Sequence, residues 1–209
     1  MSFFNKRRKE DDLIRVLFCE LNKTQLHAVF PELAKAESKN QTDIVERILL
    51  EKTGSEESRE QLLAWKELKR IGILPDESTA RKVLGYVIEV GMAEGVDYLA
   101  VYADNSARYY NFSGSKIIYE KMNNIEINSG IQKIILLGET IVSRIGAWGD
   151  ARRRPPDDGM ARINFLTPEG LFFGEGPLNV LGNDEMSKDV IHHSIIVMKL
   201  LMALPKENN

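Results

Sequence analysis

The sequence predicts an α+β protein, with an N-terminal helical segment followed by an antiparallel sheet (a four-strand meander plus a hairpin) flanked by helices. Three observations predict it. Apolar residues recur at three- and four-residue spacing as far as Gly72. After Lys82 the period changes, and short runs rich in Val, Ile and Tyr are separated by turn residues. The strands then come in consecutive runs without strand–helix–strand alternation, which argues against a parallel α/β sheet. The expected organisation is a helical segment over 1–76 and an α+β domain over 77–209.

In the helical segment, Asp11 or Asp12 can cap a helix carrying Leu13, Val16, Leu17 and Leu21. A second apolar cluster is Leu26, Val29, Phe30 and Leu33, where Pro31 limits the regularity of the turn. Thr42 or Asp43 opens a helix with Ile44, Val45, Ile48 and Leu49 on one face, and Gly54 stops it. Ser55 can cap the next helix, which runs through Leu62, Leu63, Leu68 and Ile71 to Gly72, with Pro75 beyond as a terminator.

The strands of the meander read as VLGYVIEV, VDYLAVYA, ARYYNF and KIIYE, from about Val83 to Glu120. Their links are GMAEG, Asp104-Asn105 and Ser113-Gly114, residue types that tolerate positive φ in tight hairpins. A helix follows on the stripe Ile131, Ile134, Ile135, Ile141, Val142, Ile145 and Trp148, capped by Asn128 or Ser129. Gly138 within it marks close packing against a neighbour. GDARRRPPDDG reads as a loop. MARINFLT and GLFFGEG then form a hairpin about the turn Thr167-Pro168-Glu169-Gly170. The last helix runs from about Ser187 to Leu204, halted by Pro205; Lys188, His192 and Lys199 share a stripe, and most of its remaining circumference is apolar. A helix that apolar is covered on more than one side, either within one subunit or by a second subunit.

With 43% hydrophobic and 28% charged residues, the composition excludes disordered and fibrous classes. The net charge of −3 is spread over both halves, without the basic excess of a general nucleic-acid binder. The N-terminal MSFFNKRRKEDD has no apolar core for a signal peptide, and no apolar run approaches the roughly 20 residues that cross a bilayer. Cys19 is the one cysteine; it lies in an apolar run, is expected to pack as a small buried hydrophobe, and suits a reducing cytoplasm.

No constellation stands out as catalytic. His27, His192 and His193 lack partners at metal-ligand spacing, and neighbouring helical residues such as His192 and His193 point about 100° apart. A nucleophile elbow, a phosphate-binding P-loop and a dinucleotide fingerprint are missing, so no cofactor is implied. The candidate ligand site is Arg152, Arg153 and Arg154 on a proline-stiffened loop, joined by Arg162 and with Glu175 as polar partner. Three guanidiniums can grip phosphate or carboxylate bidentately. Alternatively Asp150, Asp157 and Asp158 neutralise them in an exposed loop. Tyr86, Tyr98, Tyr102, Tyr109 and Tyr110, with Arg108 among them, fit either a packed sheet face or a contact surface.

TQLHAVFPELAKAESKNQTDIVERILLEK is similar in layout to the SAP-type helix–extended–helix module, which implies DNA binding; from Lys23 to Lys52 five basic residues are balanced by five acids. VGMAEGVDYLAVYADNSARYYNFSG and PPDDGMARINFLTPEGLFFGEGP resemble segments of bacterial proteins of uncharacterised function, a resemblance that implies a bacterial cytoplasmic origin and no activity. The order of elements is similar to that of the roadblock and profilin-like folds. The leading expectation is therefore a non-enzymatic interaction or regulatory protein that self-associates or binds a protein partner, with nucleic acid as a less favoured partner and no membrane. The alternatives are an enzyme or sensor for a small anionic ligand, and DNA binding through the N-terminal helices.

Overall fold

The computed structural model describes residues 14–120 and 122–205. It is an α+β protein, helical first and then built on a six-stranded antiparallel sheet flanked by helices. The chain divides into two compact units, Met1–Ala80 and Arg81–Asn209. Among the described residues no helix is long and apolar enough to cross a membrane.

The first unit holds α1 (Lys23–Val29), α2 (Pro31–Ser38), α3 (Thr42–Lys52), α4 (Ser58–Arg70) and the single turn α5 (Glu77–Ala80). The expected caps Asp11 and Asp12 lie outside the described residues. Asn22 and Gln25 form a reciprocal capping box at α1, each side chain accepting the other's backbone N–H at 3.0 Å. Pro31 does more than loosen a turn. It sits at the first position of α2, where its missing N–H costs nothing, and so splits the Leu26–Leu33 cluster into two helices that meet at buried Phe30. Ser55 is not the cap expected for α4, which starts at Ser58 with Glu57 before it. Ser55 Oγ instead accepts from Glu57 N (3.1 Å) and donates to Glu60 (2.9 Å) just outside the helix. At the far end Gly72 takes φ +89°, which lets Ile73 N reach back to Leu68 O at 2.9 Å and close the helix. Cys19 is buried as expected, but in a turn with φ +50° and not on a helix.

In the second unit β1 (Gly85–Met92), β2 (Gly95–Tyr102), β3 (Ala107–Tyr110) and β4 (Lys116–Tyr119) form the meander, and β5 (Met160–Leu166) and β6 (Leu171–Pro177) form the hairpin. The two pieces join through β1 and β5 into one sheet of order β4-β3-β2-β1-β5-β6. β1 runs two residues further than expected, because Met92 pairs with Gly95 and only Ala93 and Glu94 remain as the turn. The turn at Thr167–Gly170 closes with backbone hydrogen bonds in both directions, 3.0 and 3.1 Å.

The helix after the meander, α6 (Ile125–Val142), begins and ends earlier than its apolar stripe suggests. Asn124, not Asn128 or Ser129, is the cap, accepting from Ile127 N at 3.1 Å. Ile145 and Trp148 lie beyond its end, and Trp148 bridges to Leu171 on β6. The short α7 (Leu178–Leu181) leads to α8 (Lys188–Met202). α6 and α8 pack side by side on one face of the sheet, with Gly130 against Val197 and Lys133 near His193, so they run antiparallel. Gly138 marks close packing, as its position in the stripe suggests: a Cβ there would stand 2.9 Å from the Phe165 ring. The core between helices and sheet includes Tyr86, Ile88, Leu99, Val101, Ile131, Ile134, Phe165 and Val197. Successive strand residues alternate faces, so Val87, Glu89, Tyr98, Arg162, Asn164 and Glu175 lie on the opposite face. All six tyrosines of the meander, Tyr119 included, are buried.

Candidate functional site

On that opposite face the register of three strands builds a row of alternating charge. Glu89 on β1 stands opposite Arg162 on β5, and Arg162 stands opposite Glu175 on β6. Residues directly opposite across an antiparallel pair have neighbouring Cβ atoms, so the three side chains meet. Arg162 is only 3% exposed. Its Nε donates to Glu175 Oε2 at 2.8 Å and its Nη1 to Glu89 Oε1 at 3.2 Å. Its Cζ also lies 5.7 Å from the centre of the Phe173 ring. Asn164, two residues on and facing the same way, donates to Glu89 Oε1 and to Val87 O, both at 3.0 Å.

The arginine loop is fastened to this row. Arg162 donates to the carbonyl of Arg153 (3.4 Å) and to that of Arg154 (2.8 Å). Arg153 Nη1 reaches Glu175 Oε2 at 3.3 Å, and Arg152 Nη1 lies 3.9 Å from Glu89 Oε2. The Arg154 side chain is exposed. At the start of the loop Trp148 donates from Nε1 to Ala151 O (3.0 Å) and packs edge-on to Phe173; at its end Gly159 N donates to Gly91 O (3.1 Å). A segment with no apolar side chains of size thus buries Pro156 and is held at both ends and in the middle.

The residues named from sequence therefore come together: Arg152, Arg153, Arg162 and Glu175 share one network, and Arg154 contributes its carbonyl. The acids that pair with the arginines are Glu89 and Glu175, and the expected neutralisation by Asp150, Asp157 and Asp158 is not what the ion pairs show. Glu89 and Asn164 were not singled out by sequence. The available signal was a carboxylate inside the apolar run VLGYVIEV and two polar residues, Arg162 and Asn164, at same-face spacing in ARINFL. Burial raises the Glu89 carboxyl above the ordinary carboxylate range, outweighing Arg162 and Arg152, which act to lower it. Its Oε2 is buried and accepts no hydrogen bond among the described residues.

The helix layer presents a different surface. Ile125 and Leu136 on α6 and Ile195, Ile196 and Met202 on α8 are exposed, alongside Lys188, His192 and Lys199. Beside Ile195 a half-open groove of about 200 Å³ runs between α8 and the sheet, walled by Ile88, Val90, Leu99, Leu178, Ile191 and Met198. Asp97 and Tyr109 at its wall are hydrogen-bonded to each other at 2.8 Å. His192 and His193 lie with ring centres 5.7 Å apart; burial, then His192 and Lys133, lower the His193 pKa. Among the described residues no group of three or more His, Cys, Asp or Glu side chains is placed to hold a metal ion.

Compared with known proteins, the chain matches no family model, no curated protein and no solved structure at significant similarity.

Proposed function

We propose that this is a non-enzymatic interaction or regulatory protein that self-associates through the outer face of its α6/α8 layer. One observation carries the reading: large apolar side chains on both helices, Leu136 (58% exposed) and Met202 (57%) among them, remain uncovered, and Ile195 on α8 borders an apolar groove. Exposed Ile195 and Ile196 are neighbours on α8, and apolar surface gathered beside a groove marks association sites. α8 already buries Val190, Ile191, Val197 and Leu201 inward, so its outer residues are surplus to the requirements of the fold. The N-terminal helices are then available to a partner, and the single buried cysteine agrees with a reducing cytoplasm. Light scattering on the full chain over a range of concentrations tests the reading. Self-association that is lost in Ile195→Asp and in Met202→Asp, with circular dichroism unchanged, supports it. A wild type that stays monomeric at every concentration refutes it.

The arginine loop favours a second reading, a sensor for a small oxyanion. Arg152, Arg153 and Arg162 converge on two glutamates, and the Arg154 side chain stands exposed beside them. Retention of thermal stabilisation by phosphate after Arg153→Ala and Arg154→Ala would sink it.

A further inference from the structure

We propose that Glu175 is the resident competitor in an oxyanion site at the Arg153–Arg154 corner, and that a ligand carboxylate or phosphate binds there by taking Arg153 from Glu175. The proposal rests on the second reading and adds to it which arginines bind, which one positions, and what holds the site before ligand arrives.

Arg162 is the positioning residue. A guanidinium has five N–H donors. Four are committed here, to Glu175, Glu89 and the carbonyls of Arg153 and Arg154, and the side chain is almost wholly buried. It has no face left for a ligand. What it fixes is the backbone of two consecutive residues, so the loop does not have to be ordered when ligand binds, and preorganisation of that kind is gained as affinity.

Arg153 has the opposite character. Its side chain is half-exposed, and its contact with Glu175 Oε2 is 3.3 Å long. The same oxygen is already held by Arg162 Nε at 2.8 Å. Glu175 therefore keeps its stronger donor when Arg153 leaves, and the bond that must break is a half-solvated ion pair of the kind that is individually weak. The carboxylate that Arg153 now meets through one nitrogen and one oxygen also shows the chemistry it accepts, an oxyanion, and leaves the rest of its guanidinium fork open to a second oxygen. Arg154, exposed one residue on, supplies the second cation.

The experiment is a titration of the full chain with inorganic phosphate and, separately, acetate, with chloride adjusted to hold ionic strength constant. It is followed through the side-chain N–H signals of Arg153 and Arg162. The expected result is saturable movement of the Arg153 signal while Arg162 stays in place, with the stronger anion identifying the ligand class. Glu175→Gln should bind about two- to five-fold tighter, the release expected from removing one exposed ion pair. Arg153→Ala with Arg154→Ala should abolish the response, and Arg162→Lys should weaken it while both arginines remain. If the wild type gives no saturable response, or the double alanine variant still gives it, the sensor reading falls and the proposal with it. If wild type binds and the double variant does not, but Glu175→Gln binds no tighter or Arg162 moves with Arg153, the competitor role alone is overturned. Should Glu175→Gln fail to fold, the wild-type signals decide: Arg153 unmoved by a bound anion overturns the proposal.

Discussion

Gly91 on β1 lies directly beneath the backbone of Asp157: a Cβ at position 91 would stand 1.9 Å from the Asp157 carbonyl oxygen and 2.8 Å from that of Pro156. The arginine loop can lie flat on the sheet only because this residue has no side chain, and Gly159 N then donates to Gly91 O. Backbone atoms cannot yield as a flexible side chain can. Gly91→Ala is therefore expected to lift the loop and to cost about 1–3 kcal/mol of stability, the range for overpacked sites. Urea unfolding gives the second quantity. The first is read as faster tryptic cleavage between Arg152 and Arg154 than in wild type.

Arg162 and Glu89 form a buried pair whose members are not equivalent. Removing the cation leaves Glu89 and Glu175 facing each other across β5 with only the longer contacts to Arg152 and Arg153, and Arg162→Met is expected to lose about 3–5 kcal/mol. Glu89→Gln keeps the pair between Arg162 and Glu175 and the geometry of the amide, and should lose roughly 1 kcal/mol or less. Equal losses in urea unfolding would show that Glu89 carries the compensation attributed here to Glu175.

Sequence made the locally determined features readable and left the non-local ones hidden. Gly72, the Thr167–Gly170 turn and the positive φ of Asn105 and Gly114 in their hairpin loops are each fixed by neighbours in the chain, so residue type alone indicates them. The start of α6 is different. Asn124 and Asn128 are both good caps, and the choice is made by the Tyr119 hydroxyl, which accepts from Asn124 N at 3.1 Å. Trp148 kept the helical spacing, yet its backbone pairs with Leu171, more than twenty residues on, a contact that no period records. The arginines were visible as a cluster because they are adjacent. Glu89 became part of their site only through the register of β1 on β5, a pairing across 73 residues.

Two carboxylates should give stability opposite dependences on pH. Burial raises the Glu89 pKa, so the folded state holds that proton more tightly than the unfolded chain. Below the ordinary value of 4.5 both states carry it; as pH climbs from there to the folded pKa the unfolded chain ionises first, and stability is lost. Glu37 is the reverse. A hydrogen bond from Lys23, and a further one from His27, hold its pKa down, so its contribution is present above 4.5 and is lost as pH falls through the folded value. Trp65 reports the first unit and Trp148 the second, which allows the two to be followed separately. Between about pH 3 and 7, Glu89→Gln should flatten the decline at Trp148 on the rising side, and Glu37→Gln the acid loss at Trp65. A Glu89→Gln curve parallel to wild type would show that Glu89 titrates as it does in the unfolded chain.

Tyr119 ties the end of β4 to the start of α6, and that junction should behave as a unit. Its hydroxyl lies 2.8 Å from Met122 O and 2.7 Å from Asn128 Oδ1, while it accepts from the backbone N–H of Asn124, the residue that caps the helix. Asn124→Ala removes the cap and should cost about 1 kcal/mol. Asn124→Asp keeps an acceptor at the positive end of the helix dipole and should cost less. Tyr119→Phe leaves a half-buried N–H without its acceptor and should cost about 1 kcal/mol. Because the hydroxyl holds the backbone of the residue whose side chain makes the cap, the two losses should not add: once Tyr119 is gone, Asn124 is no longer held where its Oδ1 meets Ile127 N. A double-mutant cycle by urea unfolding is expected to show a coupling of at least about 0.5 kcal/mol. Simple additivity would mean that Asn124 finds its capping geometry unaided, and that Tyr119 stabilises the strand end alone.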